Sequence, residues 1–434
     1  MLRKIIRSKK LGLLAAFALV FAISLMSASM AAAKEKLVFW SHWADLENCK
    51  KYVYEAIDRF KKKNPDWDVE MVWYQKPPLM TALTSAFQAG QGPDVFYLEP
   101  AITGAFPNFV DSGLMADIGK WIDPYIAPWA FHFAKKGKMT YLLPMEAYRP
   151  MLYYNTEIFK KVGVQVPASG RLDMDGFKGA VKKIKDAGFT PFSAGTMDRE
   201  WCANIFIENI MLRYIGQEKW QGIATGKTAW TDPEVKASLK YIEDIVKMGA
   251  YPSGVSAIKL GESHGLFFGG KYGIFPMKTF FGMRAFMTPE KGGMQPDFPL
   301  GVMEFPNLRN GKANNLNYMQ VGASFGVSAL SKHPDKGAEL LACMATPNIL
   351  NMWFSLVKSE TGLKTEGVDK SEQYYKRLDE VTKGMTFVPG PMELGMDATY
   401  RDVFFQTSTG FVGGMISADE MVKKLEEARA KVKK

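Results

Sequence analysis

Cysteine and histidine are scarce in this sequence, three and four among 434 residues. Cys49, Cys202 and Cys343 are too widely spaced for a disulfide framework, which leaves buried free thiols or a single bridge. His42, His132, His264 and His333 are scattered, and no two histidines or cysteines stand at metal-ligand spacing. No Walker loop or G-x-G-x-x-G lies between a strand and a helix, so neither kind of phosphate cradle is expected. Beyond residue 26 no apolar run approaches the roughly 20 residues a membrane-spanning helix needs.

A basic excess is present, with a net charge of +10, but its placement removes most of its meaning. Arg3, Lys4, Arg7, Lys9 and Lys10 precede an uncharged apolar run over residues 11–26. Small residues then lead to Ala31-Ala32-Ala33. This is the layout of a secretory signal peptide, expected over residues 1–33, with an uncleaved anchor as the rival reading. The remaining 401 residues carry 50 basic and 45 acidic side chains, with no basic cluster and no recognition motif, so no nucleic-acid partner is expected. No cysteine directly follows the signal, which favours a free periplasmic protein over a lipoprotein.

The exported part opens with an α/β pattern. Leu37-Val38-Phe39-Trp40 reads as a buried strand, and residues 48–63 as a helix with Tyr52, Val53, Ala56, Ile57 and Phe60 on one face. Pro65 stops that helix, and residues 69–74 form the next strand. Pro77-Pro78 opens a second helix, Gly90 to Pro93 breaks the chain, and residues 94–98 form a third strand. Strands and helices alternating at this spacing imply right-handed crossovers and a parallel sheet. Thr231 to Glu234 and Ser417 with Glu420 read as helix-starting capping boxes. Residues 321–330 read as a strand crossing back into an earlier sheet, and residues 288–306 as irregular surface connection.

Two catalytic patterns are suggested by the sequence, and neither is complete. Gly322-Ala323-Ser324-Phe325-Gly326 matches the G-x-S-x-G elbow, yet strand-like sequence follows where a helix is required, and no acid lies between Ser324 and the one downstream histidine, His333. A glycosidase carboxylate pair is not readable from counting acids. What the sequence has in abundance is aromatic rings: 10 Trp, 17 Tyr and 29 Phe. Trp40-Ser41-His42-Trp43 follows the first strand and Glu99 the third, where open parallel sheets bind ligands. Rings beside carboxylates suit the C–H faces and hydroxyls of a polyhydroxylated ligand. Burial in the core is the competing reading for each ring.

Several segments, in order, resemble one family. They are Leu37 to Ser41, Phe60 to Pro65 with Val69-Glu70-Met71, Gly92-Pro93-Asp94-Val95, Tyr141 to Pro144 with Leu152 to Asn155, Phe177 to Gly188, Ala323 to Pro334, and Ser417 to Met421. Together they resemble the extracellular solute-binding proteins of family 1, the sugar-binding group that includes maltodextrin-binding proteins. The resemblance implies a two-lobed, type II-like periplasmic binding fold, with each lobe a mostly parallel sheet flanked by helices. The lobes would be residues 34–144 plus 322–360 and 148–318 plus 363–434, with hinges near 145–149 and 318–322. It implies a monomer without catalysis or cofactor that binds a sugar or polyol and delivers it to the permease of an ABC importer. Transferred by position, the ligand site is Trp40, His42, Trp43, Glu99, Glu146, Tyr148, Trp201, Lys278, Phe280, Tyr400 and Arg401. Met277-Lys278-Thr279 departs from the family's usual asparagine–glycine, so Lys278, Arg149 and Arg401 leave an anionic ligand, such as a sugar phosphate, as an alternative. A secreted carbohydrate-active enzyme is the other.

Overall fold

The chain is described from a computed structural model over residues 34–100, 105–198 and 200–432. The expected signal peptide, residues 1–33, lies outside the described residues.

The opening elements form as their periodicity dictates. In the Glu35–Ser41 strand, Leu37, Phe39 and Ser41 are buried while Val38 and Trp40, on the other face, are partly covered. The Glu47–Lys63 helix buries Cys49, Tyr52, Val53, Ala56, Ile57 and Phe60, the stripe expected of a 3.6-residue period. The Trp67–Trp73 strand then pairs parallel with Glu35–Ser41 along its whole length. The Lys76–Gln88 helix begins with proline in its first turn, where no amide hydrogen is missed. The Val95–Leu98 strand, buried throughout, pairs parallel on the other side of the first strand.

Beyond these three strands the expected parallel sheet becomes mixed. Ser324–Val327 and Leu143–Pro144 complete it, and both new pairings are antiparallel. The second lobe departs further. Its strands run in the order Leu300–Met303, Pro150–Asn155, Tyr272–Lys278, Thr190–Phe192, and only the last pair is parallel. The cause is topological: strands that enter a lobe from its partner arrive without a crossover helix, and no helix turns them parallel.

The Leu300–Met303 strand also corrects the reading of residues 288–306 as wholly irregular. Four residues that include a glycine are too short to show a period of two. Gly301 is there because the Tyr154 ring of the neighbouring strand occupies the place of a side chain.

A third sheet joins the halves. Leu316–Val321 pairs antiparallel with Ala147–Tyr148 and parallel with Thr386–Pro389. Ala147 and Tyr148 follow a first-lobe strand and precede a second-lobe one, and Leu316–Val321 makes the opposite journey. The two segments expected to be hinges therefore lie against each other. A third passage runs beside them, where Ala147 bridges Glu360 and the Gly362 amide donates to the Pro144 carbonyl.

Helix starts follow local chemistry. Ser417 and Glu420 form a reciprocal capping box ahead of the Ala418–Val432 helix, each amide donating to the other's side chain. The Pro233–Lys247 helix is capped by Asp232, whose side chain accepts from the Glu234 amide, rather than by Thr231. The G-x-S-x-G stretch lies along the Ser324–Val327 strand and Ser324 is fully buried, with no elbow and no exposed nucleophile. Among the described residues no single helix is long and apolar enough to cross a membrane.

Candidate ligand-binding site

Three strands of the first sheet end on one crevice. His42 follows Ser41, Gln75 and Lys76 follow Trp73, and Glu99 follows Leu98. Across from them stand Trp201, Lys278, Phe280, Arg284, Glu393 and Arg401 of the second lobe, and the crossing strands close the floor with Glu146, Tyr148 and Gln320. Together they line a cavity of about 450 Å3, within the usual size range of small-molecule sites.

The first-lobe charges are already answered. Glu99 is buried, accepts from the Tyr97 hydroxyl at 3.0 Å and is ion-paired with Lys76. Glu146 is buried on the floor and accepts from Trp43 Nε1 at 2.9 Å, from the Tyr148 hydroxyl and from the Ala323 amide. Burial raises its carboxyl above the ordinary carboxylate value, and these donors pull against that rise. His42 stacks on Tyr97, ring centres 3.8 Å apart. Burial, helped by the charge of Lys76, holds its imidazole well below the usual value, so it faces the cavity uncharged at neutral pH.

On the second-lobe side, Lys278 is buried, donates to Gln320 Oε1 at 2.7 Å and lies 4.7 Å from the Trp201 ring centre. Burial lowers its ammonium, while the charges of Glu393 and Glu208 oppose the fall. Phe280 meets both Trp201 and Tyr148 edge-on, making one aromatic corner where the second-lobe wall meets the first crossing strand.

Of the residues expected at the site, the structure brings His42, Glu99, Glu146, Tyr148, Trp201, Lys278, Phe280 and Arg401 to the cavity wall. It does not bring Trp40, Trp43 or Tyr400 there. Trp40 points away from the face carrying Ser41 and packs on Tyr74, ring centres 5.1 Å apart. Trp43 is fully buried against Phe325 and Trp353, and only its indole N–H reaches toward the site, through Glu146. Tyr400 turns into the second lobe, where its hydroxyl accepts from Trp230 Nε1. Its neighbour Arg401, about 100° further round the Ala398–Val412 helix, faces the cavity with Asp402 and Phe405. Arg149, a candidate for an anionic ligand, is withdrawn behind the crossing strands in an ion pair with Glu360.

Gln75, Lys76 and Glu393 were missed. Gln75 and Lys76 obey the same strand-end rule that singled out His42 and Glu99. Glu393 carries no such signal: it sits in the short Met392–Gly395 turn, and only the fold brings it to the wall.

The family model of the bacterial extracellular solute-binding proteins matches residues 43–348. The chain belongs to that family. The multiple sugar-binding protein of Streptococcus mutans is 24% identical over 423 residues, 93% of each chain. The sn-glycerol-3-phosphate-binding periplasmic protein UgpB of Rhizobium meliloti is 26% identical over 208 residues, 46% of each. Among solved structures, a chitin oligosaccharide binding protein superposes with a TM-score of 0.78 at 18% identity, covering 92% of this chain and 99% of that one. The apo form of RafE from Streptococcus pneumoniae does so with a TM-score of 0.73 at 20% identity, covering 93% and 99%. These solute-binding proteins share the two-lobed fold expected from the sequence, and the cavity described above lies between the lobes of that fold.

Proposed function

We propose that this protein is the periplasmic binding component of an ABC importer, that it holds a neutral sugar or polyol between its lobes, and that it delivers it to the membrane permease. The observation that carries this reading is the state of the cavity's charges. Glu99 is matched by Lys76 and Glu146 is held by three donors, so the buried carboxylates of the first-lobe wall and floor are answered, and the exposed Asp45 accepts from the Gln75 side chain. The sugar-binding names of the Streptococcus mutans relative and of the chitin oligosaccharide binding protein support the same class. The lobes of this reading are residues 34–144 plus 322–360 and 148–318 plus 363–434, closing about the paired crossing strands as a monomer, after removal of residues 1–33. Catalysis plays no part in this reading: Glu99 and Glu146, the buried carboxylates of the first-lobe wall and the floor, are engaged in hydrogen bonds and an ion pair.

A melting-temperature screen against sugars, polyols, sugar phosphates, amino acids and peptides tests this. A ligand at 100 times its dissociation constant adds about 2.7 kcal/mol to stability. A shift with a neutral sugar or polyol is expected. A shift only with amino acids or peptides overturns the ligand class, and product released from an oligosaccharide overturns the non-catalytic role.

A further inference from the structure

Lys278 is buried at the end of the Tyr272–Lys278 strand, and its side chain reaches the crossing strand Leu316–Val321 that floors the cavity. There it donates to Gln320 Oε1 at 2.7 Å. Two rings flank its nitrogen, with centres at 4.7 Å for Trp201 and 5.9 Å for Tyr318. Ring faces attract a cation but offer it no lone-pair acceptor. Glu393 is hydrogen-bonded to the buried Glu208 carboxyl, and among the described residues neither acid is bonded to Lys278. Gln320 is therefore the one hydrogen-bond acceptor of Lys278 among the described residues.

This contact decides which way the Gln320 amide turns. A side-chain amide has an accepting oxygen and a donating NH2 of nearly the same shape, so packing alone does not orient it. A lysine ammonium donates and never accepts, so only the oxygen can face it. The Gln320 backbone is held in place by its pairing with Tyr148 in the sheet that joins the halves. Gln320 lines the cavity and is 2% exposed, and among the described residues its NH2 has no hydrogen-bond partner. Arg284, Arg401 and Asp402 line the same cavity, and none of them is bonded to Gln320 or Lys278.

A buried donor without an acceptor is costly, and a ligand oxygen that reaches it removes the cost. We propose that Lys278 is a positioning residue for ligand recognition: it fixes the Gln320 amide so that the cavity floor presents a hydrogen-bond donor, which takes a hydroxyl or ring oxygen of the sugar. Lys278 then acts on the ligand through Gln320, while Trp201 and Tyr318 keep its nitrogen aimed at the amide. This rests on the sugar-binding reading and deepens it, naming a group that meets the ligand and the polarity it offers.

The test is a double-mutant cycle read by calorimetric titration with glucose, galactose, maltose, cellobiose and mannitol. Wild type, Lys278→Met, Gln320→Met and the double variant are compared on the probes that the wild type binds. Methionine keeps an unbranched chain against Trp201 and removes the donor. Melting temperatures of the unliganded variants check folding, with Lys278→Gln and Gln320→Ala in reserve where a methionine variant does not fold. Lys278→Gln can accept as well as donate, so it frees the Gln320 amide to turn. Each single variant should bind about fivefold more weakly or worse, the size of one lost hydrogen bond. The double variant should bind within about twofold of Gln320→Met, because Lys278 has no route to the ligand once the amide is gone. Losses that multiply show Lys278 acting on the ligand by itself and overturn the proposal. A folded single variant that binds within about twofold of the wild type also overturns it. Both results leave the sugar-binding reading standing, whereas a wild type that binds none of the probes overturns both.

Discussion

Arg149 and Glu360 meet in a two-point ion pair behind the crossing strands, Nη2 to Oε1 at 2.8 Å and Nε to Oε2 at 3.1 Å. Thr279 ties the pair to the cavity wall: its hydroxyl accepts from the Arg149 amide and donates to Glu360, and its amide donates to the Arg149 carbonyl. Thr382 accepts from Arg149 Nη1 at 2.9 Å. One guanidinium thus links the first crossing, the third passage at Glu360 and the residue next to Lys278. Both charges are largely buried, 7% and 14% exposed. Glu360→Ala strands the guanidinium, and a loss of about 3–5 kcal/mol is expected in urea unfolding. A loss below about 1 kcal/mol is what an exposed pair would give and contradicts the network.

Two tryptophans should separate stability from binding. Trp43→Phe keeps a ring in the first-lobe core but removes the donor to Glu146, leaving a buried oxygen unmet at a cost of about 1–3 kcal/mol. Trp201 is partly exposed on the cavity wall, so Trp201→Ala should weaken ligand binding while shifting the unliganded melting temperature little. Equal losses of stability and affinity in Trp201→Ala would return that ring to the core. Trp40→Ala should cost stability through its contact with Tyr74 and leave affinity unchanged.

The contrast among these rings shows where sequence reading stops. Periodicity marks a helix face or a strand, so the Glu47–Lys63 stripe and the first three strands were legible residue by residue. The strand-end rule marks a place, so His42 and Glu99 were legible as a crevice. Neither says which way the chain turns after a strand. Trp40, His42 and Trp43 lie within four residues, yet one packs on Tyr74, one faces the cavity and one is fully buried. Arg149 was illegible for the same reason, because its partner Glu360 is 211 positions away. The antiparallel pairings of the two main sheets were hidden because each involves Pro150–Asn155 or Ser324–Val327, which follow a crossing segment directly and pair with strands far along the chain.

The thiols give a prediction without ligand. Cys49, Cys202 and Cys343 are buried and unbridged. Burial raises the thiols of Cys49 and Cys343 above the ordinary value, and the Glu146 charge adds to the effect at Cys49. Dithionitrobenzoate should therefore react slowly with the native protein and titrate all three thiols in urea, with the same melting temperature with or without reductant. One thiol in urea under non-reducing conditions would reveal a bridge.

His264 gives stability a pH dependence with a defined sign. It packs edge-on between Phe275 and Phe281, ring centres 5.3 and 5.4 Å away, and its Nε2 is buried without a partner. Burial, with the Arg284 charge, lowers its imidazole to about 3 from the ordinary 6.5. Between those values the unfolded chain binds the proton and the folded one does not. Its contribution is therefore complete above pH 6.5 and is lost as pH falls toward 3, by about 1.4 kcal/mol per unit. Glu208 works in the opposite sense above its ordinary 4.5, since its raised carboxyl holds a proton that the unfolded chain has released. The wild-type slope mixes these groups, and the informative quantity is the difference between wild type and His264→Phe, from which the shared groups cancel. That difference should move by about 2 kcal/mol against the wild type between pH ~6.5 and pH ~5 in urea unfolding. A difference independent of pH over that interval would mean that His264 gains its proton in the folded state as readily as in the unfolded one.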